Sequence, residues 1–325
     1  MSQQKLLSMA EENKAFVDEI NKALAKSEGI TLKELLFSYQ GTPYPVTVCS
    51  AETFQALENL EARRDDMVLV SHPRCGEYII NYLLLSMVLC ELAYQILNDL
   101  TFTTIQSKPV STELPFIECG DPDKYHRMKQ IPSPRILATH LNYDFLPKSI
   151  FKNKAKILVL FRNPKDTAVS FFHFHNNVPS IPSYSSWDEF FSEFMNGKVG
   201  WGSYFDHAVT WNKHIEDENT MIVIHEDLKE NLTSGVKQIA EFFGFSLTAE
   251  QIQSVADRAT FQVVKDKAQE THGAVGTVLF RKGIVGDWKN LFTEAQNQEM
   301  DAKFKACLEG TKLGAKLKYD VYCKT

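Results

Sequence analysis

No CxxC pair, no Cys/His ligand cluster and no G-x-x-x-x-G-K-[ST] loop occurs in the 325 residues. The six cysteines (Cys49, Cys75, Cys90, Cys119, Cys307 and Cys323) are scattered. They read as reduced thiols of a cytoplasmic protein, with no disulfide framework and no metal. The missing Walker motif argues against a nucleotide kinase. Basic charge is not in excess: the net charge is −6. That excludes a general nucleic-acid binder and confines any anion site to a local basic pocket. Internal repeats and low-complexity linkers are absent. The first 26 residues are polar and amphipathic rather than basic-then-apolar, so no secretory signal is expected. Only one apolar run is long, Ile79 to Leu97. It contains Asn81, Glu91 and Gln95 and has no flanking basic cluster. A buried helix of an α/β core is expected there, not a membrane span.

What is present fits a globular enzyme. Apolar residues make up 44% and charged residues 23%, ordinary values for a folded α/β chain. The length suits one domain over residues 1–325. An amphipathic helix is expected over residues 11–26, an extended segment from Tyr39 to Pro45, and a second helix from Thr53 to Ala62. Then four short apolar runs follow: Met67 to Ser71, Arg135 to Thr139, Lys156 to Phe161 and Met221 to His225. Helical patterns separate them. This alternation predicts a central parallel sheet with helices on both faces. Arg74, His140, Arg162 and His225 fall at or just past the C-terminal ends of these runs, where open α/β sheets place ligands.

Three segments carry the chemistry. The first is Arg281-Lys282-Gly283-Ile284-Val285-Gly286-Asp287-Trp288-Lys289-Asn290-Leu291-Phe292-Thr293. Its glycines and cations suit a loop closing over a phosphorylated ligand. The second runs from Leu160 to Ser170. Arg162 at a strand end can make charge-assisted contacts with a phosphate, and Ser170 lies two helical turns on. The third, Ser71 to Tyr78, joins a strand to a helix and can aim backbone N–H groups at an anion. His140 follows the second run, and an imidazole there can accept a hydroxyl proton at neutral pH. His173 and His175 are two apart and do not share a helix face, so they read as part of an aromatic cluster rather than as metal ligands. Cys75 stands beside Arg74, a setting that can lower a thiol pKa, but no His or Asn partner can be assigned to it.

The first segment resembles the R-K-G-x-x-G-D-W-K-N-x-F-T signature of the cytosolic sulfotransferases. Arg162-Asn163-Pro164-Lys165-Asp166 to Ser170 resembles their R-N-P-K-D-x-x-V-S motif without a departure. Thr139-His140-Leu141, His225-Glu226-Asp227-Leu228 and Thr260-Phe261-Gln262 are similar to further family elements. Phe37 to Gly41 and Leu313 to Tyr319 look most like the sixth (6B) branch. The resemblance runs across nearly the whole chain. It implies an α/β fold related to the P-loop nucleotide kinases. It also implies 3′-phosphoadenosine 5′-phosphosulfate (PAPS) as cosubstrate, no metal, and a small lipophilic acceptor such as a phenol, steroid or iodothyronine.

Residue by residue, the resemblance implies His140 as general base and Arg74 at the leaving nucleotide. Arg162, Ser170, Arg281, Lys282 and Gly283 would hold the 3′-phosphate. His225, Phe261 and Phe280 would complete the nucleotide site. The 5′-phosphosulfate loop would be Arg74, Cys75, Gly76, Glu77, Tyr78 and Ile79, and here the chain departs from the family. Arg74 replaces a lysine and cannot give up a proton. Glu77 and Tyr78 replace two threonines, and Ile79 replaces the tryptophan that stacks on adenine. In the family dimer motif, Lys289 and Thr293 remain, but Glu294 and Gln298 replace valine and glutamate, so a homodimer is left open. Two readings stand: an active sulfotransferase with altered cosubstrate affinity, and a catalytically impaired binding protein that kept the fold.

Overall fold

The computed structural model describes residues 34–76, 116–269 and 276–324, together with Asn21, Ala25, Ile30, Ile80, Leu83, Leu84, Ser86 and Met87. Glu77, Tyr78 and Ile79 lie outside the described residues. So does nearly all of the expected opening helix and of the long apolar run. Within that run, Ile80, Leu83, Leu84 and Met87 are helical and fully buried. Their i, i+3, i+4, i+7 spacing is one helix face turned into the core. Among the described residues, no helix is long and apolar enough to cross a membrane.

A hairpin of β1 (Leu36–Tyr39) and β2 (Thr42–Pro45) leads into α1 (Ala51–Leu57) and β3 (Met67–Ser71). Next come α2 (Lys124–Met128), β4 (Ile136–Thr139), α3 (Lys148–Lys152), β5 (Lys156–Phe161) and α4 (Pro164–Asn177). After α5 (Trp187–Met195) and α6 (Tyr204–Asn212) the chain forms β6 (Thr220–Ile224), α7 (His225–Glu230), α8 (Leu232–Phe243) and α9 (Ala249–Arg258). The rest is α10 (Phe261–Asp266), α11 (Gly276–Leu279), a 3-10 turn at Asp287–Asn290, and α12 (Glu294–Leu308), α13 (Lys312–Lys316) and α14 (Tyr319–Tyr322).

The four expected strands form one parallel sheet in the order β4-β3-β5-β6. Every residue of β3 is buried, as are the last five of β5. Central parallel strands covered on both faces must be apolar throughout, which is why these runs show no alternation. Edge strand β6 is half-buried over its first three residues.

Two expected boundaries move. The second helix covers Ala51–Leu57, not Thr53 to Ala62. Ser50 caps it by accepting from Thr53 N at 3.1 Å, and the helix starts two residues earlier than expected. It stops because side chains of α3 take over the backbone beyond it. Ser149 Oγ donates to Leu60 O and accepts from Ala62 N, and Asn153 Nδ2 donates to Ala62 O. The last strand ends at Ile224, so His225 opens α7 rather than closing the strand.

One ion pair fixes the lower end of the sheet. Arg135 and Asp66 are 1% and 0% exposed. The guanidinium meets the carboxylate at 2.8 and 2.5 Å and also donates to Met128 O and Glu61 O. Removing one partner leaves a buried charge without compensation. Arg135→Leu is therefore expected to destabilise the protein by about 3–5 kcal/mol, read as a lowered urea midpoint at unchanged slope.

Candidate functional site

The strand ends set the site out in a row. His140 follows β4, Arg74 lies three residues past β3, Arg162 follows β5 and His225 follows β6. Strand order places them in that sequence along the C-terminal edge of the sheet. At ordinary strand spacing, His140 and His225 stand roughly 14 Å apart.

Most of the expected residues line one cleft, open at its mouth. Arg74, Gly76, Arg162, Ser170, His225, Phe261, Phe280, Arg281, Lys282 and Gly283 all face it. Four cations confront two carboxylates there, Asp166 and Asp287. Cys75 does not line it: its thiol is buried, with Sγ 4.0 Å from Thr167 Oγ1. His140 is also outside it, farther along the sheet edge.

The β3–helix loop is bent tightly. Arg74 has φ +73°, a left-handed conformation that costs a non-glycine residue about 1–2 kcal/mol. Side-chain contacts hold it there. Nε donates to Ser170 Oγ at 3.2 Å, Nη2 donates to Leu279 O at 2.8 Å, and the guanidinium lies 5.0 Å from the Phe174 ring centroid. Gly76 has φ +107° and passes so close to His225 that a Cβ would stand 2.6 Å from Nδ1.

At the far wall, burial first, then the Arg162 and Lys229 charges, push the His225 pKa well down. The ring is therefore neutral at neutral pH, and its buried Nε2 has no partner. Gly283, at φ +65°, lies flat on Phe261, where a Cβ would fall 2.5 Å from the ring. Phe280 meets the same ring edge-on at 6.1 Å, and Lys229 and Lys265 flank it at 5.1 and 5.9 Å.

The Arg162 motif divides into a cleft-facing part and a structural part. Arg162 donates to Arg74 O and Ile284 O, while its buried Nε has no partner. Asn163 is tied to buried Glu226, whose Oε1 accepts from its backbone N at 3.1 Å and its Nδ2 at 2.7 Å. Asp166 accepts from Gly286 N at 2.7 Å and Trp288 N at 3.0 Å. Lys165, fully buried, pairs with Asp301 at 2.6 Å, donates to Cys323 O at 2.5 Å and lies 4.5 Å from the Trp288 ring. Asp287 then holds Arg281 and, at 2.7 Å, Lys282. Burial alone would raise its carboxyl pKa. The Lys282, Arg281 and Asn290 donors outweigh that and hold it at about 2.

His140 is 7% exposed. Its Nδ1 lies 2.9 Å from Ser71 O. A carbonyl can only accept, so Nδ1 carries the proton and Nε2 is left as an acceptor. Phe116 packs on the imidazole at 4.5 Å and Trp201 meets it edge-on at 5.2 Å.

Sequence reasoning passed over Asp166, Asp287, Lys229 and Lys265. The two acids sit inside quoted motifs, but an acid beside an anion site gives no signal until its donors are known. His175 is buried in the aromatic cluster, as expected, with Nδ1 donating to Pro182 O at 2.7 Å. Burial pushes its pKa down to about 4. No cluster able to hold a metal ion occurs among the described residues. Lys289, Thr293, Glu294 and Gln298 are all exposed, and Gln298 donates to Glu294 at 2.9 Å within α12.

Comparison with known proteins matches residues 64–313 to the sulfotransferase domain family. Sulfotransferase 6B1 of Homo sapiens is 60% identical over 316 residues, covering 97% of this chain and all of that protein. Sulfotransferase 6B1 of Danio rerio is 46% identical, covering 90% of this chain and 95% of that one. Among solved structures, mouse sulfotransferase SULT7A1 complexed with PAP aligns with TM-score 0.73 at 32% identity, over 90% of this chain and 99% of that chain.

Asp287 makes the closing loop acid-sensitive. Its folded pKa is depressed, so its contribution is complete above the unfolded value of 3.8 and is lost as pH falls towards about 2. Across that window the thermal midpoint of the wild type should fall more steeply than that of Asp287→Asn. Parallel curves would show that the carboxylate contributes nothing to the loop.

Proposed function

The chain belongs to the sulfotransferase family, and on that premise we propose that it moves a sulfuryl group from PAPS to a small lipophilic acceptor, with His140 as general base. The acceptor group is a hydroxyl or an amine. The observation that carries this reading is the 2.9 Å contact of His140 Nδ1 with Ser71 O. With Nδ1–H committed to Ser71 O, Nε2 is presented as a proton acceptor at the sheet edge, beside the anion cleft.

The residues present fit the nucleotide. The buried Arg162 Nε and the buried His225 Nε2 both lack partners, and a buried polar atom without one is costly. A phosphate would satisfy the first and a purine edge the second. Arg162, Ser170, Arg281, Lys282 and Gly283 would hold the 3′-phosphate, and Phe261, with Phe280 beside it, would take the base. Arg74 and Gly76 would meet the 5′ end, Cys75 through its backbone only. By sequence, Glu77, Tyr78 and Ile79 complete this set. The mouse relative of known structure holds PAP, the desulfated nucleotide. When bound, PAPS supplies an electrophilic sulfur and a phosphate leaving group. His140 takes the acceptor's proton at Nε2, Phe116 and Trp201 keep the ring in place, and Arg74 offsets negative charge at the leaving oxygen. Pre-set charges of this kind need no reorganisation during reaction. The site is proposed to act in the cytoplasm.

Arg74 also favours the second reading, a chain that binds nucleotide and turns over poorly. Its guanidinium is engaged by Ser170, Leu279 O and Phe174, so reaching a substrate means leaving them.

Calorimetry with PAP and transfer from labelled PAPS to a panel of phenols, steroids and amines test both readings. Micromolar binding with measurable transfer is expected. His140→Ala should lower kcat by about 10²–10⁴-fold with PAP affinity unchanged. Absence of PAP binding at millimolar nucleotide would sink the proposal. Binding without transfer, restored by Arg74→Lys, would establish the second reading.

A further inference from the structure

We infer that Glu118 is a positioning residue for the base: its carboxylate fixes the His140 backbone and the Trp201 indole that packs on the imidazole. The inference rests on the reading of His140 above. Glu118 is 0% exposed and does not line the cleft, so it acts through His140 and is not itself catalytic.

The local fold brings it there. Phe116 bridges Ala138 in parallel, and Ile117 N donates to Ala138 O at 2.8 Å. Residues 116–118 thus run beside edge strand β4 up to the level of His140. Glu118 Oε1 then accepts from His140 N at 2.8 Å and from Trp201 Nε1 at 3.2 Å. One oxygen ties together the residue that carries the base and the ring that packs against it.

Two observations mark this as more than packing. Trp201 has φ +63°, a conformation that bulky side chains adopt only where the surroundings over-determine it. Its indole N–H on Glu118 and its backbone N–H on Pro43 O, 2.8 Å away, supply that constraint. In addition, Glu118 Oε2 is buried and has no hydrogen-bond partner. A half-satisfied buried carboxylate works against stability, and an amide would supply the same acceptor oxygen without the buried charge. Its negative charge reaches its surroundings: after burial, it is the next cause holding the Tyr44 and Tyr125 phenols protonated.

The test separates geometry from charge and does not depend on turnover. Imidazole ¹⁵N spectra of the full chain, with His140→Ala for assignment, read the His140 tautomer. The wild type is expected to show the Nδ1–H form. Glu118→Ala is expected to lose it and to lower kcat by about 10²-fold, with PAP affinity unchanged. Glu118→Gln keeps an oxygen in place and is expected to restore the tautomer, with kcat between those of the alanine variant and the wild type. Should the alanine variant fail to fold, Glu118→Asp decides: it keeps the charge but withdraws the oxygen, and the tautomer should be lost. A Glu118→Ala or Glu118→Asp protein with the wild-type tautomer and wild-type kcat overturns the inference. Were no acceptor ever sulfated, the spectra would still judge Glu118, while the proposed function would fail separately.

Discussion

Asp166 is the point on which the cleft depends. It sits in the first turn of α4, and its two oxygens accept from the backbone N–H groups of Gly286 and Trp288, 120 residues or more along the chain. Together with the Arg162 bond to Ile284 O, these two bonds set the loop carrying Arg281 and Lys282 against the start of α4. Asn163 and Glu226 support Asp166 from behind, and Lys165 ties the same turn to the C-terminal helices through Asp301 and Cys323 O. Five consecutive residues, Arg162 to Asp166, therefore divide their labour. Arg162 faces the cleft, Pro164 starts the helix, and Asn163, Lys165 and Asp166 tie the turn to Glu226, the C-terminal helices and the Gly286–Trp288 backbone. Charged hydrogen bonds at a buried junction are strong and directional, so the loop's position follows from that of the sheet.

The sheet was legible because its physics is simple. Parallel strands covered on both faces must be apolar, and the runs from Met67, Lys156 and Met221 were nearly continuous. The gathering of the expected residues in one cleft was legible for a related reason. Ligand-facing residues gather at C-terminal strand ends, and the motifs around Arg162 and Arg281 supplied their chemistry. The cleft indeed brings together Arg74, Arg162, Ser170, His225, Phe261 and the Arg281–Gly283 loop. Elements governed by distant partners were not legible. Nothing near Ala62 announces that Ser149 and Asn153 will take its backbone. Asp166 and Asp287 could not be given roles from sequence, because an acid in an anion site is explained only by the donors that it meets.

Arg74 illustrates how one substitution is absorbed. A lysine offers a single ammonium on a flexible stem, whereas a guanidinium is planar and offers a fork of donors. Here that fork spans from Ser170 in α4 to the Leu279 carbonyl in α11, with Phe174 beneath it. Leu279 and Phe280 belong to a small second core with Val264 and Ala268. Arg74 thus joins the anion loop to the segment that covers it. This contact gives the residue a structural task besides any electrostatic one.

The cations farther along are also engaged, but differently. Asp287 pairs with both Arg281 and Lys282 and stays ionised down to about pH 2. On the proposed reading, an incoming phosphate would therefore not meet bare cations. It would meet cations already held in place, and it would have to share or displace a carboxylate. Two effects oppose each other. The carboxylate weakens the attraction for a dianion, while fixing the side chains removes the entropy that ordering two long chains at binding would cost, of order 1 kcal/mol each. Because Lys282 is half-exposed at its side chain and Arg281 a quarter exposed, solvent screens the repulsion more than it relaxes the ordering. The balance then lies with preorganisation, and Asp287 is better understood as a scaffold for the anion site than as its competitor.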